Sequence, residues 1–227
     1  RTTKTRPHQG TPQGGVISPL LANLYLHWFD KVFHGKEGPG TFANARLVRY
    51  ADDFVIMAKY VGGRIENWVE GKLEAWMGLI INREKTKVLN VRKPGTTLDF
   101  LGYSFRYDRD LYGGTRRYWN RIPSKKSMKK ARLRIHELTT SSRGCVPLAS
   151  TISQLNRFLI GWSNYFGYGY PSLSFRAIND YVQTRMIQFL SRKSQRPFRP
   201  PEGMSWYSLI YDKLKVVQLR KDSPRKP

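Results

Sequence analysis

Arg49-Tyr50-Ala51-Asp52-Asp53-Phe54-Val55-Ile56 sets two adjacent carboxylates between two short apolar runs, Leu47-Val48 before them and Phe54-Val55-Ile56-Met57 after them. Short runs rich in β-branched and aromatic residues read as strands. Asp-Asp opposes strand and favours a turn. The stretch therefore predicts a β-hairpin with both aspartates at its tip. Two carboxylates on one rigid turn repel each other unless a cation neutralises them. Hard oxygen donors select Mg2+, usually shared with substrate phosphates, and paired Mg2+ ions serve in-line phosphoryl transfer. A solvated Asp-Asp turn without a ligand is the alternative.

Working outward, 40 Lys+Arg stand against 16 Asp+Glu, a net charge of +24. Residues 1–120 carry 19 basic and 11 acidic groups, a net of +8, and residues 121–227 carry 21 and 5, a net of +16. A field of this size points to a polyanion, and nucleic acid is the expected partner class. A hydrophobic content of 40% with six Trp argues for a packed chain. No apolar run is long enough for a membrane span, and no signal peptide opens the sequence. With one cysteine, Cys145, an internal disulfide or Cys-rich zinc site is excluded. His8, His27, His34 and His136 lack ligand spacing. A reducing, cytoplasmic setting is the default expectation. Without a starting Met, the chain is expected to be a piece with something upstream.

Before the hairpin, Gly10-Thr11-Pro12-Gln13-Gly14-Gly15 is a loop. Ser18 and Pro19 read as N-cap and first helical residue, and Leu21, Leu24 and Trp28 carry the helix to about Phe33. The loop's backbone amides suit a phosphate or a nucleotide. Taken alone, the loop is favoured as an ordinary glycine loop.

After it, Ile65, Trp68, Val69, Leu73 and Trp76 mark a helix with a core stripe, ended by Gly78. Lys87–Val91 reads as a strand. Leu98–Phe105 reads as a second, in which Gly102 marks a close backbone approach. Asp110–Gly114 reads as a turn and Arg116–Arg121 as a returning strand.

From Pro123-Ser124 the pattern turns helical. Met128, Ala131, Ile135 and Leu138 form one stripe, and Lys125, Lys126, Lys129, Lys130, Arg132 and Arg134 fill the other faces. These six are candidate phosphate contacts, with a solvated face as the alternative. Ile152, Leu155, Leu159, Trp162 and Phe166 mark the next helix. Its aromatic end, Trp162–Tyr168, is favoured as core over base stacking. Phe175, Ile178, Val182, Met186 and Phe189 mark a third. Residues 192–203 read as a basic, Pro-rich linker, and Trp206, Ile210, Leu214 and Val217 as a last helix before a frayed tail.

In this order the motifs resemble the reverse transcriptases, most closely the group II intron-encoded proteins. Gly10–Asn23 looks like their nucleotide-binding motif and Tyr50-Ala51-Asp52-Asp53 like their catalytic hairpin. Gly78–Asn82 through Lys85–Lys87 resembles the next palm motif, and Leu98–Tyr103 the primer grip. The helical region with Leu155-Asn156 and Trp162–Phe166 is similar to the thumb, or maturase-specific domain.

The resemblance implies an α+β fold, a partial right-hand polymerase palm (antiparallel sheet with helices) followed by an all-helical thumb. It divides the chain into palm (1–121), helical thumb (122–191) and basic Pro-rich linker with C-terminal helix (192–227). It implies an RNA-directed DNA polymerase that also assists intron splicing. Asp52 and Asp53 would hold Mg2+. Gln13, Gly14 and Gly15 would position the incoming nucleotide, and Lys85, with Lys87 as rival, would protonate the leaving pyrophosphate. Leu101 and Gly102 would press on the primer. Intron RNA, RNA template with DNA primer, dNTPs and a missing fingers/palm segment are the implied partners, with no membrane. The family's further palm aspartate, upstream of the nucleotide-binding loop, has no match in residues 1–9, and no endonuclease region follows. The chain alone is therefore expected not to polymerise. A non-catalytic RNA-binding splicing cofactor is the reading from another class, and another bacterial reverse transcriptase the rival within the first.

Overall fold

The structure is a computed structural model and describes residues 16–60, 62–109, 117–193 and 198–220. It is α+β, with two antiparallel sheets and segregated helices. The chain divides into two compact units between Val88 and Leu89. This split differs in place from the change of strand to helix near residue 122, because the second sheet packs with the helices that follow it.

In the first unit, α1 spans Ser18–Phe33. Ile17, not Ser18, occupies the N-cap, and Ser18 is already helical. A short helix, α2 (Pro39–Phe42), follows Gly38, where a Cβ would lie 2.2 Å from the Phe33 carbonyl oxygen. Strands β1 (Arg46–Tyr50) and β2 (Asp53–Met57) pair antiparallel with Tyr50 opposite Asp53. α3 (Gly63–Glu70) runs into a π-helical turn, Gly71–Trp76. It ends as the spacing predicts: Gly78 takes φ +65°, and Leu79 N donates back to the Leu73 carbonyl at 2.8 Å.

The core of this unit is Phe29, Phe33, Ala45, Ile65, Val69, Leu73 and Met77, with Phe54 and Trp68 packed against it. Trp76 departs from the expected core stripe. It is 58% exposed and stacks on Trp28 at 3.4 Å between centroids. Lys87–Val91 forms no strand. Asx-type turns flank the segment, with Asn82 Oδ1 accepting from Lys85 N before it and Asn90 Oδ1 from Arg92 N at its end. Val88, 60% exposed, offers no buried face to anchor it.

The second unit begins with a meander of β3 (Thr97–Phe100), β4 (Tyr103–Arg109) and β5 (Arg117–Pro123). The single strand expected over Leu98–Phe105 is thus a hairpin, turning at Leu101-Gly102. Three helices follow: α4 (Lys125–Leu138), α5 (Leu148–Phe166) and α6 (Ser172–Arg192). Ser124 Oγ caps α4 by accepting from Ser127 N at 3.2 Å. The expected stripes meet in one core: Ala131, Ile135 and Leu138 of α4, Ile152 through Phe166 of α5, and Phe175 through Phe189 of α6.

The last predicted helix is shorter than its pattern, a π-helical run over Ser208–Lys213. Beyond it, asparagines act as strand surrogates. Asn156 donates to the Lys215 carbonyl (2.9 Å) and accepts from Val217 N (2.8 Å). Asn179 does the same for Leu219 at 2.9 Å each way. Val216 and Leu219 are thereby buried. No helix among the described residues is long and apolar enough to cross a membrane.

Candidate functional site

The Asp-Asp hairpin is built as a tight two-residue turn. Tyr50 pairs with Asp53, leaving Ala51 and Asp52 as the loop. Ala51 takes φ +54°, the first-position conformation that glycine normally supplies in such turns. For an L-residue this costs about 1–2 kcal/mol, so other contacts must hold it. Arg49 provides them. Its Nε and Nη2 close on Asp30 of α1 at 2.9 and 2.5 Å, and its Nη1 donates to Asn23 Oδ1 (3.0 Å) and to the Ala51 carbonyl (2.8 Å). The Asp30 hydrogen bonds raise the Arg49 pKa, partial burial opposes them, and the Asp30 charge adds to the rise. Arg49 lies in the opening stretch, yet its role was not read there. The signal was present: an arginine opposite Phe54, on the half-buried strand face, needs an acidic partner.

Asp52 and Asp53 are both exposed. Asp53 stands on the outer face of the hairpin with Val48, Tyr50 and Met57, opposite the face that meets Phe29. Neither aspartate forms an ion pair among the described residues. Lys85 and Lys87 are exposed too, Lys85 in a turn whose amide donates to Asn82. No hydrogen bond or ion pair joins Lys85 to either aspartate among the described residues, and no cluster of three or more His, Cys, Asp or Glu side chains forms there. Gln13, Gly14 and Gly15 lie outside the described residues, as does the Asp110–Gly114 turn.

Leu101 and Gly102 form the β3–β4 turn, both with positive φ, +48° and +80°. Leucine rarely adopts this conformation, and here the helical region holds it. The Tyr165 hydroxyl donates to the Leu101 carbonyl at 2.8 Å. Ser124 N and Ser127 Oγ donate to the Gly102 carbonyl at 2.9 and 2.8 Å. The Tyr103 hydroxyl donates to the Tyr165 carbonyl. A Cβ on Gly102 would meet Ser127 Oγ at 3.0 Å and Phe166 at 3.5 Å, so the close approach expected at this glycine is present. Leu101 itself is 37% exposed at the tip.

All six α4 cations are exposed: Lys125, Lys126, Lys129, Lys130, Arg132 and Arg134. Among the described residues only Arg134 pairs with a carboxylate, Glu137 at 2.9 Å. At the end of α5, Trp162 and Phe166 are core, as expected. Tyr165 and Tyr168 are not: they are 50% and 65% exposed, Tyr165 on the outer face of α5 and Tyr168 beyond its end at Gly167.

A family model described as reverse transcriptase (RNA-dependent DNA polymerase) matches residues 1–105. A second, described as group II intron, maturase-specific domain, matches residues 128–202. Together the two matches support a group II intron-encoded reverse transcriptase and maturase. Among curated proteins it is 32% identical to Protein YkfC of Escherichia coli (strain K12), over 48% of this chain and 35% of that protein. It is 26% identical to the group II intron-encoded protein LtrA of Lactococcus lactis subsp. cremoris, over 46% of this chain and 27% of that protein. The chain thus spans about a third or less of these relatives' length. Within this group II intron family match, Asp52, Asp53, Lys85, Leu101 and Gly102 fall in the reverse transcriptase segment. Lys129, Lys130, Arg132 and Arg134 fall in the maturase-specific one, and Lys125 and Lys126 lie between the two.

Proposed function

We propose that the protein serves RNA-directed DNA synthesis by a group II intron reverse transcriptase, with residues 1–121 contributing palm and residues 122–191 thumb. The observation that carries this reading is the Asp52-Asp53 pair, exposed on a strained turn that Arg49 holds to α1, inside a segment matching reverse transcriptases.

The donor set fits a hard divalent cation: carboxylate oxygens, exposed, and free of cationic partners among the described residues. Asp52 and Asp53 would hold Mg2+, which supplies charge neutralisation at the reacting phosphates and a more acidic primer hydroxyl. The reaction joins the primer 3′ oxygen to the α-phosphorus of a dNTP and expels pyrophosphate. Lys85, or Lys87 in its place, would give that leaving group a proton. Gln13 with the Gly14-Gly15 backbone would orient the nucleotide. The Leu101-Gly102 turn would bear on the primer strand, and the α4 cations would follow phosphates of the template duplex or intron RNA.

One observation supports a second reading, a splicing cofactor that binds intron RNA without catalysis. The α4 lysines are exposed and without carboxylate partners among the described residues, at or just before the start of the maturase-specific segment, and RNA binding needs none of the hairpin. RNA-templated primer extension and intron splicing, measured side by side in wild type, Asp52→Asn and Asp53→Asn with the upstream fingers/palm segment supplied, separate the two. Extension lost with splicing retained supports both roles in one protein. Extension that survives both substitutions overturns the catalytic assignment.

A further inference from the structure

The β3–β5 sheet sorts its charges by face. On β4 and β5 the paired rows are Arg109 opposite Arg117, Tyr107 opposite Trp119, and Phe105 opposite Arg121. Side chains alternate along a strand, so these residues share one face. That face carries three arginines and, among the described residues, no carboxylate. The other face holds Asp99, Asp108, Arg106, Ser104 and Asn120, bound to one another. Arg106 Nε and Asn120 Nδ2 each donate to Asp108 at 2.7 Å, and Ser104 donates to Asp99.

The arginine face is open. Trp119 is 49% and Tyr107 39% exposed, although both are large rings that folding normally covers. They meet edge to face at 84° with centroids 5.7 Å apart, which leaves a ring face toward solvent. Arg117 and Arg121 flank Trp119 along β5, each about 7 Å from it at two residues of strand rise. Arg121 also lies over the exposed Tyr168 ring, 6.0 Å from its centroid.

An aromatic platform between cations, with no acid on its face, suits a ligand that brings flat rings and negative charge together. Unpaired nucleic acid does. Its bases are free to stack, whereas a duplex hides their faces.

We propose that the outer face of β4–β5 binds single-stranded nucleic acid, stacking bases on Trp119 and Tyr107 and holding the flanking phosphates with Arg109, Arg117 and Arg121. The residues of this surface are none of the α4 cations and neither Asp52 nor Asp53, and the assignment stands whether or not the protein polymerises.

The test is fluorescence anisotropy on the full chain with two labelled RNAs, an unstructured oligocytidylate and a duplex of equal length. Trp119→Ala is expected to weaken single-strand binding by about 5- to 100-fold, the worth of one stacked base, and to leave duplex binding in place. Trp119→Phe should restore most of the loss. Arg117→Gln should lower the slope of log affinity against log salt by about 0.7 for the single strand. An unchanged single-strand affinity in Trp119→Ala overturns the proposal, as does an equal loss on both RNAs. Should Trp119→Ala lower the melting midpoint, Arg117→Gln and Trp119→Leu decide instead. A normal salt slope together with wild-type affinity would then reject this face, whatever the α4 lysines do.

Discussion

Arg49 grips the Asp30 carboxylate with Nε and Nη2, at 2.9 and 2.5 Å, and the same guanidinium reaches the Ala51 carbonyl. One side chain thus joins α1 to the turn that presents Asp52 and Asp53. The pair is mostly shielded, with side-chain exposures of 13% and 28%. Arg49→Gln should cost about 1–3 kcal/mol, from lost charge-assisted hydrogen bonds and an abandoned Asp30. Arg49→Lys should recover little, because an ammonium cannot span Asp30 and Ala51 with a planar fork. Urea denaturation reads both, and a double-mutant cycle with Asp30→Asn should give a coupling above about 0.5 kcal/mol.

The β3–β4 turn should be intolerant at one position and improvable at the next. Gly102→Ala combines φ +80° with a Cβ 3.0 Å from Ser127 Oγ, and should destabilise by about 1–3 kcal/mol. Gly78→Ala is the control: φ +65° but no atom within 4 Å of the added Cβ, so only backbone strain, about 1 kcal/mol, is expected. Leu101→Asn, which tolerates positive φ, should be neutral or stabilising. A smaller loss for Gly102→Ala than for Gly78→Ala would contradict the packing against Ser127 and Phe166.

What the sequence made legible follows from where the forces act. The stripes of α4, α5 and α6 were readable because each helix meets one shared core with a 3.6-residue period. The Asp-Asp hairpin was readable because turn-forming residues separate two apolar runs. The Leu101-Gly102 turn was not: Leu98–Phe105 is continuously apolar apart from Asp99 and Ser104, and leucine does not announce a turn. That turn is imposed from distant residues, Tyr165 and Ser127. Lys87–Val91 failed the other way: strand propensity found no buried face to pack on, and Val88 is 60% exposed. Of the candidate site, the aspartates and basic helix could be named from sequence. The support that Arg49 gives the turn required knowing that α1 brings Asp30 to it.

The α4 cations carry a salt-dependent prediction. Lys125, Lys126, Lys129 and Lys130 are exposed and have no carboxylate partner among the described residues, so replacing all four by Gln should leave the melting midpoint nearly unchanged. Binding to structured RNA should fall. The slope of log affinity against log salt should shrink by about 0.7–0.9 per phosphate contact removed. An unchanged slope takes α4 out of the RNA interface. Arg134→Gln should matter less, since Glu137 already engages its guanidinium.

Alkaline stability should depend on one buried phenol. Tyr211 is 9% exposed in the core of the second unit, and its hydroxyl donates to the Asn179 carbonyl at 3.2 Å. Burial first, then the neighbouring Tyr207 and Asp180, push its pKa up to about 12. An unfolded tyrosine titrates near 10. Below pH 10 both states hold the proton and Tyr211 adds no pH dependence. From about pH 10 to 12 the unfolded chain releases its proton while the native state keeps it. The unfolded state then binds fewer protons, so stability falls as pH rises. Burial raises the Tyr103 pKa as well, so wild type should retain some slope without Tyr211. Urea midpoints of wild type and Tyr211→Phe should run parallel up to pH 10. Above it the wild type should fall faster, and equal slopes there would place the Tyr211 hydroxyl in solvent.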